Sequence, residues 1–170
     1  MKMWGELEGW TYYVGDLNTP VSALEHHGSL VHIWNSKRRD AGLPAWSDFQ
    51  LEDFADWWGW LTVMDCVTDD PRDWVYRLWG SRVVDFKGQE MTRKPLGYMG
   101  LKTTADGASY NDMDFDHMSM LYREQKIGLF EGPVTTDMRD VNWVATIRLP
   151  LASDGTHIDK FLNGVCARTV

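Results

Sequence analysis

The sequence predicts an α+β domain, with one antiparallel sheet covered on one face by helices. Two groups of strand patterns flank a helical middle part, no internal repeat divides the chain, and 170 residues suit a single domain. Strands joined by short turns pair antiparallel, and the helices inserted between the two groups must pack on the shared sheet. We therefore predict one domain over residues 22–170, preceded by an arm at 1–21.

The N-terminal part of the chain contains this arm and an amphipathic helix. Residues 1–21 mix Gly, Trp and Tyr without a sustained period, which predicts an irregular arm. Residues 22–41 have helical spacing, and Leu24, Val31 and Trp34 fall on one face. This apolar face needs a partner surface.

The other elements follow from turn residues and apolar spacing. We predict a short helix at 50–57, strands at 60–67 and 74–79, a helical stretch at 81–86, a helix at 111–126, and strands at 132–137, 143–151 and 157–167. Alternation places Tyr76 and Leu78 on one face of their strand and Arg77 on the other. His117 and Leu121 share an apolar helix face.

Composition and charge exclude several classes of protein. The 25 acidic residues outnumber the 17 basic ones, and a net charge of −8 repels the phosphate backbone of nucleic acids. No window reaches the ~20 apolar residues of a membrane-spanning helix. Glu6 and Glu8 stand where a signal peptide would have an apolar run, so we expect a cytoplasmic protein.

The sequence contains no catalytic or metal-binding motif that we recognise. It has no GxSxG nucleophile elbow and no glycine-rich phosphate loop, and Cys66 and Cys166 lie outside any Cys/His ligand spacing. The acidic cluster at 65–73 favours a hairpin turn over a cation site, because Asp and Pro supply turn geometry on their own. We therefore predict neither an enzyme nor a metal site.

Several segments resemble, in this order, a family of stand-alone PAS domain proteins common in alphaproteobacteria. They are Leu30–Pro44, Leu61–Val67, Tyr76–Ser81 followed by Gly88, and Leu149–Leu151 followed by Asp154-Gly155. The resemblance covers roughly residues 24–167. It implies a PAS fold, a five-stranded antiparallel sheet in the order 2-1-5-4-3 whose helices enclose a small-molecule pocket. It also implies a sensory role in signal transduction.

The resemblance further implies partners. No kinase, cyclase or DNA-binding region is attached, so a separate output protein, such as a kinase or regulator, must receive the signal. Because an amphipathic helix outside a PAS core commonly pairs with its copy, we expect a homodimer through Leu24, Val31 and Trp34. The alternative is that this helix packs on the outer face of its own sheet. The topology also places Cys66 and Cys166 side by side, unbonded.

We expect the ligand pocket between the sheet and the helix at 111–126. Its predicted lining comprises Tyr76, Leu78, Arg77, His117, Leu121 and Arg148. Arg77 and Arg148 alternate with apolar neighbours, so each either reaches solvent or needs an anionic partner, such as a ligand carboxylate. The sequence does not identify a cofactor. The alternatives are a packed core without a ligand, a haem-binding PAS sensor that uses His117, and a small metabolite-binding enzyme.

Overall fold

The computed structural model describes residues 1–24, 26–40, 42–98, 110–134 and 142–168. The strands are β1 (Lys2–Leu7), β2 (Trp10–Gly15), β3 (Leu61–Asp65), β4 (Val75–Trp79), β5 (Ile127–Pro133), β6 (Trp143–Leu151) and β7 (Lys160–Arg168). The α-helices are α1 (Gly28–Lys37), α2 (Ser81–Lys87) and α3 (Tyr110–Glu124). Short 3-10 helices lie at Val21–Ala23, Trp46–Asp48, Leu51–Trp57, Pro71–Asp73 and Leu96–Tyr98.

The strands form one antiparallel sheet of seven, in the order β1-β2-β5-β6-β7-β3-β4. The predicted five-stranded sheet in the order 2-1-5-4-3 is therefore wrong. Residues 1–21, predicted to be irregular, supply the hairpin β1-β2, and Tyr12 of β2 pairs with Phe130 of β5. The other five strands lie in the order β4-β3-β7-β6-β5.

The hairpin β1-β2 turns at Glu8 and Gly9. These two residues have φ angles of 45° and 80°. A two-residue turn with both φ angles positive matches the right-handed twist of the flanking strands, and glycine adopts this conformation at little cost. The turn therefore returns β2 along β1 and brings the arm into the sheet.

Helices cover both faces of the sheet, and the prediction of helices on one face only is wrong. A Cβ on Gly164 of β7 would lie 2.4 Å from Leu30 of α1, whereas a Cβ on Gly128 of β5 would lie 2.3 Å from Leu121 of α3. Gly164 pairs with Ile147, and Gly128 pairs with the next residue, Arg148. Because consecutive strand residues point to opposite faces, α1 and α3 lie on opposite faces. We call these the α1 face and the α3 face.

The N-terminal helix packs on its own sheet. The α-helix begins at Gly28, not at residue 22. Leu24, Val31 and Trp34 are 1%, 1% and 0% exposed, and the Trp34 indole N–H donates to the carbonyl of Pro150 at 2.9 Å. The predicted dimer interface is therefore wrong in these residues, because their apolar area is already buried inside the chain.

The strand predicted at 132–137 begins earlier, at Ile127. Gln125 adopts a φ of 51°, in the left-handed region, which ends α3 and lets the chain enter β5 within two residues. Residues 135–137 lie outside the described part of the chain. None of the helices described is long and apolar enough to cross a membrane.

Cys66 and Cys166 are both free, but they are not neighbours. Strands β3 and β7 do pair, with Asp65 opposite Lys160. The backbone N–H of Cys66 donates to the carbonyl of Asp159 at 2.9 Å, at the start of β7, whereas Cys166 lies near the other end of that strand. Seven strand residues span about 23 Å, so the prediction that the two thiols are adjacent is wrong.

Candidate functional site

Polar side chains form a row across the middle of the α3 face. Arg148 of β6 pairs with Asn163 of β7, and Asn163 pairs with Thr62 of β3. The three residues are only 4%, 3% and 3% exposed. Buried polar groups need hydrogen-bond partners, so three polar side chains in a row inside an apolar core must each be matched by a specific partner.

Helix α3 and β4 complete this group. Asp114 and His117 face the sheet from α3 and bond to Arg148. Tyr76 of β4 is close enough to Asp114 and Arg148 for both charges to shift the pKa of its phenol. Burial, followed by the charge of Asp114, raises the pKa of the Tyr76 phenol. The inner polar cluster, as we name it, comprises Thr62, Tyr76, Asp114, His117, Arg148 and Asn163.

Arg148 holds the cluster together. One terminal nitrogen of its guanidinium donates to the Asp114 carboxylate, and the other donates to Nδ1 of His117 at 2.9 Å. Its charged plane also lies 4.2 Å from the centre of the Phe130 ring, a favourable cation–π distance. The guanidinium is thus tied to α3 twice, and Asp114 reaches the surface with 20% of its side chain exposed.

His117 is neutral and fully enclosed. Its pKa falls to about 3, because burial disfavours the imidazolium and the charge of Arg148 repels it. Nδ1 accepts from Arg148, so the ring proton sits on Nε2, which donates to the carbonyl of Tyr13 at 3.1 Å. The rings of Trp4 and Tyr12 pack against it at centre distances of 5.1 and 5.2 Å.

Asn163 leaves one polar atom without a partner. Its amide N–H donates to the hydroxyl of Thr62 at 3.0 Å, but its carbonyl oxygen accepts no hydrogen bond from the residues that the structure describes. An unpaired buried acceptor costs about 1–3 kcal/mol. The inner polar cluster therefore contains one buried acceptor that no described residue satisfies.

Arg77 and Leu78, two of the six predicted pocket residues, do not lie with the other four. Val63 of β3 pairs with Leu78 and the next residue, Met64, pairs with Tyr76, so Arg77 is an extra residue in a β-bulge. The bulge turns Leu78 to the face opposite Tyr76, where it is 38% exposed. Arg77 is half exposed and donates to the carboxylate of Asp65 at 2.9 Å. Strict alternation along β4 is the assumption that failed.

The other four predicted residues meet on the α3 face, and the space between two of them and β5 is filled. His117 and Leu121 are 0% exposed, and a Cβ on Gly128 would come 2.8 Å from the His117 ring and 2.3 Å from Leu121. Real Cβ atoms essentially never approach other atoms this closely. A ligand at the cluster therefore has no room between α3 and Gly128.

The chemistry of the cluster does not fit haem ligation by His117. Both ring nitrogens are engaged, one by Arg148 and the other by Tyr13, and the side chain is 0% exposed. In the described ranges, no group of three or more His, Cys, Asp or Glu side chains could hold a metal ion. Burial raises the pKa of the Cys66 thiol, and that of Cys166 to about 11, so neither is an activated nucleophile.

Sequence reasoning missed three members of the cluster. Asp114 lies in the helix predicted at 111–126, and Thr62 and Asn163 lie in the strands predicted at 60–67 and 157–167, but none of the three is predicted as a site residue. The sequence does carry a signal for Asn163, since an amide inside the otherwise apolar FLNGV needs a buried partner. Its partner Thr62 lies a hundred residues away, and only the strand pairing shows it.

Comparison with known proteins found no match: no family model, no curated protein and no solved structure resembles this chain significantly.

Proposed function

We propose that the protein is a sensory or regulatory module that binds a small molecule at the inner polar cluster and passes its occupancy to a separate output protein. The observation that carries the proposal is the unpaired carbonyl oxygen of Asn163, beside a buried guanidinium. Such a pair suits a ligand that donates a hydrogen bond to Asn163 and accepts one from Arg148. The resemblance to stand-alone PAS domain proteins favours the same role.

Helix α3 is the element that would respond to the ligand. It is tied to the sheet through Asp114 and His117: each is bonded to Arg148, and His117 also donates to the carbonyl of Tyr13. A ligand atom that accepts a hydrogen bond from Arg148 competes with Asp114 for the guanidinium. The displaced Asp114 carboxylate can be solvated, because its side chain is partly exposed. Buried ion pairs contribute little net stability, and their best-attested use is to set a register or a switch. Occupancy would thus change how α3 docks.

The experiment compares ligand retention in matched variants. Protein purified without denaturant is analysed by native mass spectrometry for a bound small molecule, and its thermal unfolding is followed with glycolate, lactate and acetamide. In Asn163→Leu we expect retention to be lost while the fold persists, because leucine also removes the unpaired acceptor. The control is Thr146→Val, which changes a buried polar residue on the same face outside the cluster.

Two results would refute the proposal. One is a wild-type protein that carries no small molecule and whose unfolding midpoint none of the three compounds raises. The other is equal retention in Asn163→Leu and Thr146→Val, which would make the cluster a purely structural network.

A further inference from the structure

The end of α1 borders an open cleft of about 440 Å³, a size within the roughly 300–1,000 Å³ of small-molecule sites. Leu17 and Asn18 line it from the segment after β2, and Asn35, Arg38 and Asp40 line it from α1 and the residues that follow. Asn18 and Asp40 are exposed, so a ligand can reach both from solvent. None of these residues belongs to the inner polar cluster.

Arg38 is held in place before a ligand arrives. Its Nε donates to the carbonyl of Gly42 at 3.1 Å, and its Nη1 donates to the carbonyl of Leu17 at 2.8 Å. Its guanidinium also lies over the ring of Trp34, 5.0 Å from the ring centre. A group that is already ordered loses little entropy on binding, so Arg38 is a preorganised donor.

The acceptors described for Arg38 are uncharged oxygens. They are two backbone carbonyls and the side-chain carbonyls of Asn18 and Asn35. The neighbouring Lys37 differs, because it pairs with the carboxylate of Asp53 at 2.7 Å. Carbonyl oxygens solvate the Arg38 guanidinium but do not neutralise it, so it can attract a ligand carboxylate.

The two asparagines add neutral donors at the same place. Each turns its side-chain carbonyl oxygen to Nη1 of Arg38, Asn18 at 3.1 Å and Asn35 at 3.3 Å. The other end of each amide is an N–H₂ group, which donates hydrogen bonds. Both side chains line the cleft, so a ligand oxygen beside the guanidinium lies near two further donors.

Asp40 brings a negative charge to the same cleft. Among the ion pairs that the structure describes, none joins Asp40 to Arg38, so the two charges are separate binding points. The carbonyls at the C-terminal end of α1 also favour a cationic group nearby. A ligand with a net charge would be attracted by one charged lining residue and repelled by the other, whereas a zwitterion matches both. The net charge of −8 further disfavours a simple anion.

We propose that this cleft is a second binding site, for a free α-amino acid with a small aliphatic side chain. The ligand carboxylate accepts from the guanidinium of Arg38 and from the amides of the two asparagines. The ligand ammonium group donates to Asp40, and the aliphatic side chain packs on Leu17. The site is independent of the function proposed above, because it shares no residue with the inner polar cluster.

The test uses L-valine as the probe. Its analogue 3-methylbutanoate lacks the ammonium group, and isobutylamine lacks the carboxylate, so the two analogues separate the two charged contacts. Binding to the full chain is measured at pH 7 by isothermal titration calorimetry and by saturation-transfer NMR. We expect saturable binding of L-valine and at least about tenfold weaker binding of each analogue, because each loses a charge-assisted hydrogen bond.

Asp40→Asn is the decisive variant. Asp40 is exposed and has a φ of 54°, a backbone conformation that asparagine tolerates well, so the fold should persist. We expect about tenfold weaker binding of L-valine but no weaker binding of 3-methylbutanoate, which has no ammonium group to lose a partner. Asp56→Asn changes an exposed aspartate outside the cleft, and this control should bind L-valine as the wild type does.

Arg38→Lys keeps the positive charge but loses the planar fork, and it should also weaken L-valine binding about tenfold. Because Arg38 ties α1 to neighbouring segments, Asp40→Asn decides the test if Arg38→Lys does not fold. Absence of saturable L-valine binding to the wild type would overturn the proposal. So would equal affinity for either analogue, or equal affinity of Asp40→Asn and Asp56→Asn for L-valine.

Asn163→Leu should leave L-valine binding unchanged, which separates this cleft from the inner polar cluster. Weaker L-valine binding in Asn163→Leu than in the wild type would place the amino acid at the inner polar cluster and would also overturn the proposal.

Discussion

The two faces of the sheet each bury one histidine, and the two side chains are held in opposite ways. His117 on the α3 face is 0% exposed and has a hydrogen bond at each ring nitrogen. His27 on the α1 face is 2% exposed, yet its Nε2 has no partner in the described structure. Burial lowers both pKa values, to about 3 and about 4, so both rings are neutral at pH 7.

The comparison shows that burial alone does not say what a polar residue does. On the α3 face the histidine is part of a network that ties a helix to the sheet through Arg148. On the α1 face the helix docks through apolar contacts such as Leu30 against Gly164, and the histidine borders a cavity instead. Stability should therefore depend on the polar network on the α3 face and not on His27.

The largest effect is expected for Arg148→Met. It leaves Asp114 without its charge partner and His117 without its donor, and breaking one side of a buried ion pair costs about 3–5 kcal/mol. Urea unfolding monitored by circular dichroism measures the loss. The matched control is Arg77→Met, which breaks a half-exposed pair with Asp65 and should cost at most about 1 kcal/mol. Similar losses in both variants would mean that the network does not hold α3.

Acid should destabilise the protein through both histidines. Below pH 6.5, the pKa of histidine in the unfolded chain, both rings become protonated when the chain unfolds but stay neutral in the folded protein. The folded protein takes up these protons only near pH 4 at His27 and near pH 3 at His117. Stability is thus complete above pH 6.5 and falls below it, by about 3 kcal/mol between pH 6.5 and pH 5 for the two rings together.

The measurement is the free energy of unfolding in urea at pH 7, 6 and 5. The double variant His27→Phe/His117→Phe should remove most of the pH dependence. If the double variant keeps the wild-type slope, the buried histidines are not its source.

The same substitution should have different effects on the two faces. His117→Phe leaves the carbonyl of Tyr13 and a donor of Arg148 unpaired, and we expect a loss of about 1–3 kcal/mol. His27→Phe keeps the ring stacked on Trp57 and removes the unpaired Nε2, but it also ends the polar contacts of the ring with the backbone of Ala145 and Gly164, so we expect a loss below about 1 kcal/mol. The free energy of unfolding of both variants is measured in urea at pH 7. Equal losses would contradict the contrast between the two faces.

The smallest effect is expected at the edge of the α3 face. Trp4 is 37% exposed and packs on His117 and Tyr12, so Trp4→Ala should cost about 1 kcal/mol by loosening the hairpin β1-β2 from the cluster. Trp58→Ala is the control, since that side chain is 50% exposed. Urea unfolding of both variants gives the difference, and a Trp4→Ala loss no larger than the control would show that the hairpin does not support the cluster.

Parts of the candidate site were predictable, and the limit lies in strand geometry. Arg148, His117, Leu121 and Tyr76 were expected at one site, and the structure brings them to the α3 face. Leu78 was wrongly placed because a β-bulge breaks the alternation along β4. A bulge depends on which residues of the partner strand oppose it, so the sequence of β4 alone does not reveal it.

The N-terminal arm shows a similar limit. Its hairpin could have been predicted from Glu8-Gly9 between two aromatic segments, because glycine in a two-residue turn indicates paired strands. That β2 then pairs with β5 is not a local property. The partner strand is more than a hundred residues away along the chain, and the pairing turns the expected sheet of five strands into one of seven.

The sequence by itself determined the positions of most helices and strands, the antiparallel pairing, and the absence of the catalytic motifs considered. These follow from local spacing, turn residues and side-chain chemistry, which act over a few residues. Tertiary structure alone decided that Leu24, Val31 and Trp34 are buried within the chain, that His27 faces a cavity, and that Asp114 pairs with Arg148. The physical reason is that burial and pairing depend on which distant segments come together, and an amphipathic pattern requires a partner surface without specifying which one.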